Sequence, residues 1–90
     1  MRYTVVWTTK AERRLAKIWL EAANKAFVTN AANEIDRLLR DDPWGCSEGR
    51  EIGLRILTVA PLGVIFRVFP DDRQVKVISV WRFRTRSTNA

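Results

Sequence analysis

The sequence contains no histidine, one cysteine and one tyrosine, and each shortage excludes a kind of chemistry. Without an imidazole there is no Ser-His-Asp triad, no Cys-His dyad and no HExxH metal helix, all of which need a group that titrates near neutral pH. Ser47 and Cys46 therefore have no imidazole to activate them. Cys46 alone forms no internal disulfide and builds no thiolate cage, which predicts a reducing, cytoplasmic setting and neither metal nor cofactor. With only 4 Gly and 3 Pro, the composition excludes fibrous and low-complexity architectures. No apolar run approaches the roughly 20 residues of a membrane-spanning helix, and the segment Met1 to Lys10 is too short in apolar residues for a signal peptide. A soluble protein with no membrane partner is expected.

What is present is material for a core. Hydrophobic residues make up 47% of the 90-residue chain and aromatic residues 10%, enough for one domain over residues 1–90. A chain of this size buries roughly 65% of its unfolded surface. The 16 Lys and Arg against 10 Asp and Glu leave a net charge of +6, and an anionic partner such as RNA, DNA or an acidic protein follows from it. The excess is uneven: residues 1–43 hold 8 basic and 6 acidic side chains, residues 44–90 hold 8 and 4.

Arg2 to Trp7 is β-branched and aromatic and reads as a strand. Thr9 with Glu12 three residues on forms a capping box, so a helix is expected from about Lys10. Ala11, Leu15, Ile18, Trp19 and Ala22 fall on one helical face; Val28, Ala31, Ile35, Leu38 and Leu39 make a second stripe. The two stripes point roughly 150° apart on a common wheel, which one continuous helix cannot bring onto a single core. A break at Ala23 to Lys25, with Asn24 as N-cap, restores a shared face and makes a helix hairpin that ends before Pro43. Residues 43–53 form a loop. Leu54 to Ala60, Val64 to Phe69 and Val75 to Phe83 read as strands joined by turns at Pro61-Leu62-Gly63 and Pro70-Asp71-Asp72-Arg73. The expected fold class is α+β, in the order β-α-α-β-β-β, with the N-terminal strand and helix hairpin packed on an antiparallel sheet. Both faces of the last two strands are apolar while two helices cover one face, so over the other either a protein partner or self-association into a homodimer is expected, or the strands curl and the helices, loop and termini share the covering.

The strongest local signal is Val80-Trp81-Arg82-Phe83-Arg84-Thr85-Arg86. In an extended chain Arg82, Arg84 and Arg86 project from one side at roughly 6.6 Å intervals, with Trp81 and Phe83 on the other. Guanidinium groups grip phosphates in bidentate fashion and aromatic rings stack on bases. Arg50 and Arg55 are expected to add charge at the same end of the sheet, and Arg67 interrupts an apolar strand as a site residue or an edge charge. Arg50, Arg55, Arg67, Arg82, Arg84 and Arg86 are thus the candidate nucleic-acid ligands. Glu51 and Glu48 are the nearby carboxylates, and either becomes a general base if an arginine-rich pocket holds it. Tyr3 would have to reach this cluster through the fold.

Val6-Trp7-Thr8, then Ala11, Leu15 and Ile18, then Ile35-Asp36 and Leu39, Pro43, Gly53-Leu54-Arg55, Ile65-Phe66-Arg67-Val68 and Val77-Ile78-Ser79-Val80 together resemble the RelE/ParE superfamily of toxins, known also as plasmid-stabilisation proteins. The resemblance covers nearly the whole chain. It implies the toxin of a bacterial type II toxin-antitoxin system, with a cognate antitoxin wrapped across it. It implies as target either the ribosome, where RelE-like endoribonucleases cut mRNA, or DNA gyrase, which ParE-like toxins poison. On the nuclease branch the resemblance implies a basic residue and an arginine straight after the last strand, which Arg82 and, with a shift of register, Arg84 match; Arg55, on the strand after the loop, is the further candidate catalytic arginine. The resemblance also implies an arginine ahead of the third strand's apolar run, where Gly63 stands, and a C-terminal Tyr or His, which Ser87 to Ala90 lacks. A catalytically silent module that binds nucleic acid or antitoxin stays open beside both branches.

Overall fold

The computed structural model describes residues 2–84. Arg86 lies outside the described residues. The elements are β1 (Thr4–Trp7), α1 (Thr9–Glu21), α2 (Lys25–Asp41), β2 (Glu48–Gly49), β3 (Arg55–Val59), β4 (Leu62–Phe69) and β5 (Gln74–Arg82), with a 3-10 turn at Pro70–Asp72. This is the expected α+β order with one addition, the two-residue β2, which lies inside the segment read as loop. Two paired residues are too few to show an alternation in sequence.

The capping threonine is Thr8 and not Thr9. Its Oγ1 accepts the Ala11 N–H at 3.1 Å and donates to the Ile78 carbonyl at 3.4 Å, while its own N–H donates to the Val77 carbonyl at 3.0 Å. These bonds hold Thr8 extended beside the sheet, so the helix starts at the next residue and Thr9 falls in its first turn. Such a cap contributes about 1 kcal/mol. The break between the helices stands where the phase of the two stripes requires it. Asn24 Oδ1 accepts the Phe27 N–H at 3.1 Å, and Lys25 Nζ donates to the carbonyls of Leu20 at 3.3 Å and Ala22 at 3.2 Å.

The sheet runs in the order β1-β5-β4-β3-β2 and is mixed, not wholly antiparallel. β2 to β5 pair antiparallel with their neighbours, but β1 lies parallel to β5, Trp7 opposite Val77. Tight turns enforce antiparallel pairing only between strands they join, whereas β1 reaches β5 across the helix hairpin and three further strands. The turn between β3 and β4 is also shorter than read: Leu62 and Gly63 already belong to β4, opposite Val59 and Thr58.

The helices cover one face. Ile35, Leu39, Leu62, Val64, Phe66, Val75 and Val77 are wholly buried there, joined by Val28, Ala31 and Leu57. Trp7 Nε1 donates to Asp36 Oδ1 at 2.9 Å and ties β1 to α2. On the second face Ile56, Ile65, Phe69 and Trp81 are each half-buried, as expected where the strands and their own side chains share the covering. Trp81 lies across Gly63, where a Cβ would collide with its ring, and Lys76 Nζ stands 5.8 Å from the Phe69 ring centre. Among the described residues, the large exposed apolar side chains are elsewhere, at Trp19, Leu20, Phe27, Trp44 and Ile52.

Candidate nucleic-acid interface

The candidate arginines separate into two sites. β3 and β5 run in the same direction on either side of β4, so the start of β3 and the end of β5 lie at opposite ends of the sheet. Arg55 stands opposite Phe66, and Arg82 opposite Leu62. Four residues of β4 span about 13 Å between them. Arg50 and Arg55 therefore do not share an end with Arg82 and Arg84, contrary to the sequence expectation. Strand order in a sheet is invisible until the strands pair.

The first site is a cleft of about 640 Å³ whose lining includes Trp44, Arg50, Glu51, Arg55, Arg67 and Phe69. Arg55 is bound into the protein. Its Nε donates to Ser47 Oγ at 2.7 Å, its Nη2 donates to the carbonyls of Ser47 at 2.9 Å and Trp44 at 3.2 Å, and the guanidinium carbon lies 5.1 Å from the Trp44 ring centre. Arg55 thus shapes the cleft wall by fastening the loop. Arg67, exposed on the sheet face away from the helices, lays its guanidinium over Gly53, whose φ of +73° suits glycine. Arg50 and Glu51 occupy the loop between. Among the described residues, the only ion pairs join Arg37 to Glu34 and Asp41, so Arg50 and Arg67 have no carboxylate partner there. Tyr3 meets this site only through Trp44, whose Nε1 donates to its Oη at 3.3 Å; Tyr3 itself does not line the cleft. Trp44 itself, the ring between Tyr3 and Arg55, was missed in the sequence: a lone tryptophan in a loop carries no periodicity.

The second site is a cleft of about 470 Å³ in which Arg82, Phe83 and Arg84 face Pro61 and, from the helix-hairpin turn, Asn24 and Phe27. β5 ends at Arg82, so Arg84 lies just past the strand, and the rest of the expected arginine ladder, Arg86, lies outside the described residues. A third cationic group, also missed, is on α1: Lys10, Arg13, Arg14 and Lys17 form one flank of the helix.

Cys46 serves neither site. Burial first, and then the Asp42 carboxylate, push its thiol above the ordinary value of 9.0, against a smaller opposing effect of Arg55. A raised pKa favours the protonated form in the fold, so this contribution to stability is complete at neutral pH and lost as pH climbs through the folded value. At any given pH below the plateau iodoacetamide should alkylate Cys46 more slowly than a free thiol, with the rate profile displaced to higher pH. A thiolate-like rate at neutral pH, measured by mass spectrometry, contradicts this.

Neither a protein-family model nor a curated protein matches the sequence. Solved structures do match it. The toxin-antitoxin complex RelBE2 from Mycobacterium tuberculosis superposes with a TM-score of 0.75 at 20% identity, over 91% of this chain and 92% of that one. The chromosomal ParDE system of P. aeruginosa gives 0.70 at 20% identity over 92% and 98%, and the isolated RelE toxin of E. coli 0.64 at 16% identity over 97% and 89%. This chain has the RelE/ParE toxin fold. Within the RelE/ParE fold it places Gly63 where the resemblance implied an arginine, and the Trp81 ring occupies the space such a side chain would need. Among the described residues, no helix is long and apolar enough to cross a membrane.

Proposed function

We propose that this chain is the toxin half of a type II toxin-antitoxin pair, held by a cognate antitoxin and directed at mRNA on the ribosome. The observation that carries this reading is the cleft of Arg50, Arg55 and Arg67 around Trp44, set on the RelE/ParE toxin fold. Arg50 and Arg67 offer guanidinium groups to a phosphodiester, and the half-exposed Trp44 ring offers a base a stacking surface. Arg55 acts as a positioning residue that keeps the loop in place. Arg82 and Arg84, about 13 Å along the sheet, hold a further phosphate of the same strand.

Cleavage needs three things: a base for the 2'-hydroxyl, positive charge on the phosphorane and an acid for the leaving oxygen. Glu51 takes the 2'-hydroxyl proton, the 2'-oxygen bonds to phosphorus, and the bond to the 5'-oxygen breaks. Water entering the cleft supplies the proton to that oxygen. Arg50 and Arg67 stabilise the charge between these steps.

Purified chain added to a cell-free translation mixture should abolish reporter synthesis and leave new mRNA ends, and the variant with Arg50→Ala and Arg67→Ala together should restore synthesis. Intact translation with loss of gyrase supercoiling overturns the ribosomal target in favour of the ParE-like one. Normal bacterial growth on strong induction of the chain overturns the toxin reading altogether.

A further inference from the structure

Beyond Val77, β5 has a bare edge. The register of β1 with β5 ends at Trp7 opposite Val77, after which the chain turns through Thr8 into α1, while β5 continues to Arg82. The Phe83 N–H donates to the Pro61 carbonyl at 2.9 Å. By the alternation of an antiparallel ladder, Trp81 and Ser79 therefore also bond toward β4, opposite Gly63 and Ile65, and Val80 and Arg82 aim their N–H and C=O groups outward. Among the described residues nothing pairs with those groups.

α1 runs alongside this edge. Lys10, Arg13, Arg14 and Lys17 recur at i, i+3, i+4 and i+7, a quarter-turn from the buried positions Ala11 and Ile18. With Ile78, Ser79, Val80 and Trp81 they line a groove of about 550 Å³. The stripe from Lys10 to Lys17 is about 10.5 Å long, and Ser79 to Arg82 about 10 Å. Four cations thus border the full length of the bare edge, and none of them has an ion-pair partner among the described residues.

We infer that this groove takes an acidic, extended peptide segment, which adds a strand to β5 and sets its carboxylates against Lys10, Arg13, Arg14 and Lys17. Main-chain bonds to Val80 and Arg82 supply the affinity and the cationic flank supplies the selectivity. Charge decides against the other occupants of a strand edge. A second copy docking edge to edge would bring two such stripes together, and residues 85–90 of this chain carry one charged side chain, Arg86, of the same sign as the groove. A nucleic acid would satisfy the cations but would leave the β5 N–H and C=O groups in no ladder. The inference stands apart from the toxin reading, because its test reads amide protection and not growth.

The test uses the full chain, isotopically labelled, with a synthetic peptide of alternating Glu and Val as probe. Binding should slow hydrogen exchange at the Val80 and Arg82 amides by at least about tenfold. A Lys and Val counterpart should not bind, nor should the Glu and Val peptide once its ladder-facing nitrogens are methylated, which keeps every charge but removes the donors. Arg14→Glu with Lys17→Glu, both at exposed positions, should weaken the peptide at least about tenfold. Equal binding of the methylated peptide, unchanged exchange at Val80 and Arg82, or capture of oligouridine by the stripe with no protection by the peptide each overturns the inference. The methylated arm needs no variant, so the test survives a misfolded mutant.

Discussion

Replacing Phe66 by alanine is expected to destabilise the protein by about 3–5 kcal/mol, the largest loss of any single substitution considered. Phe66 is the largest of the wholly buried side chains and sits mid-strand in β4, the strand flanked by both β3 and β5. Its ring faces the helices beside Val64 and Val77, so deletion leaves a cavity in the middle of the core. Surrounding strands cannot close it without breaking ladder bonds. Domains of this size have total stabilities of about 5–15 kcal/mol, so the variant should be near the limit of folding at 37 °C. Urea unfolding followed by circular dichroism measures the loss. An unfolding free energy within about 1 kcal/mol of the parent would mean that Phe66 is not at the centre of the core.

Arg55→Ala is expected to cost about 2 kcal/mol, for a different reason. The side chain donates three hydrogen bonds to the loop at Trp44 and Ser47 and lies over the Trp44 ring, and its removal leaves two carbonyls of that loop without their donors. Arg55→Lys should recover less than half of this, since an ammonium group cannot reproduce the planar fork. Arg67→Ala supplies the contrast. Arg67 is exposed and makes no hydrogen bond among the described residues, so its loss should leave the unfolding midpoint in place. If it grips a phosphate, the variant should flatten the salt dependence of single-stranded RNA binding by about 0.7 in slope. The same flattening in Arg55→Lys, with stability intact, would assign Arg55 to the ligand and not to the loop.

Much of the architecture was legible because it rests on local periodicities. The two helical stripes, out of phase by roughly 150°, required a break at Asn24, and the cap is there. The four longer strands followed from runs of β-branched residues, with only their ends moved, whereas the two-residue β2 carries no such run. The start of α1 was misread because Thr8 and Thr9 are equal as caps in sequence; the pairing of Thr8 with Val77 and Ile78 chooses between them. What covers the second face stayed open in the sequence, because composition counts apolar residues without showing that Trp81 lies down on Gly63.

The candidate site was legible in kind and not in arrangement. Arginines at 50, 55, 67, 82 and 84 announce an anionic ligand through charge alone, which needs no fold to be counted. Their division between two ends of the sheet, the binding of Arg55 into the loop, the meeting of Tyr3 with Trp44 and the bare edge of β5 beside α1 all depend on strand order and register. Those are set by long-range pairing, in which residues distant along the chain become neighbours only once the core has closed. Sequence by itself determined the α+β class, the helix hairpin and the cationic character. Tertiary structure alone decided which charges stand together, because a periodicity reports the face a residue occupies and not its neighbour across the sheet.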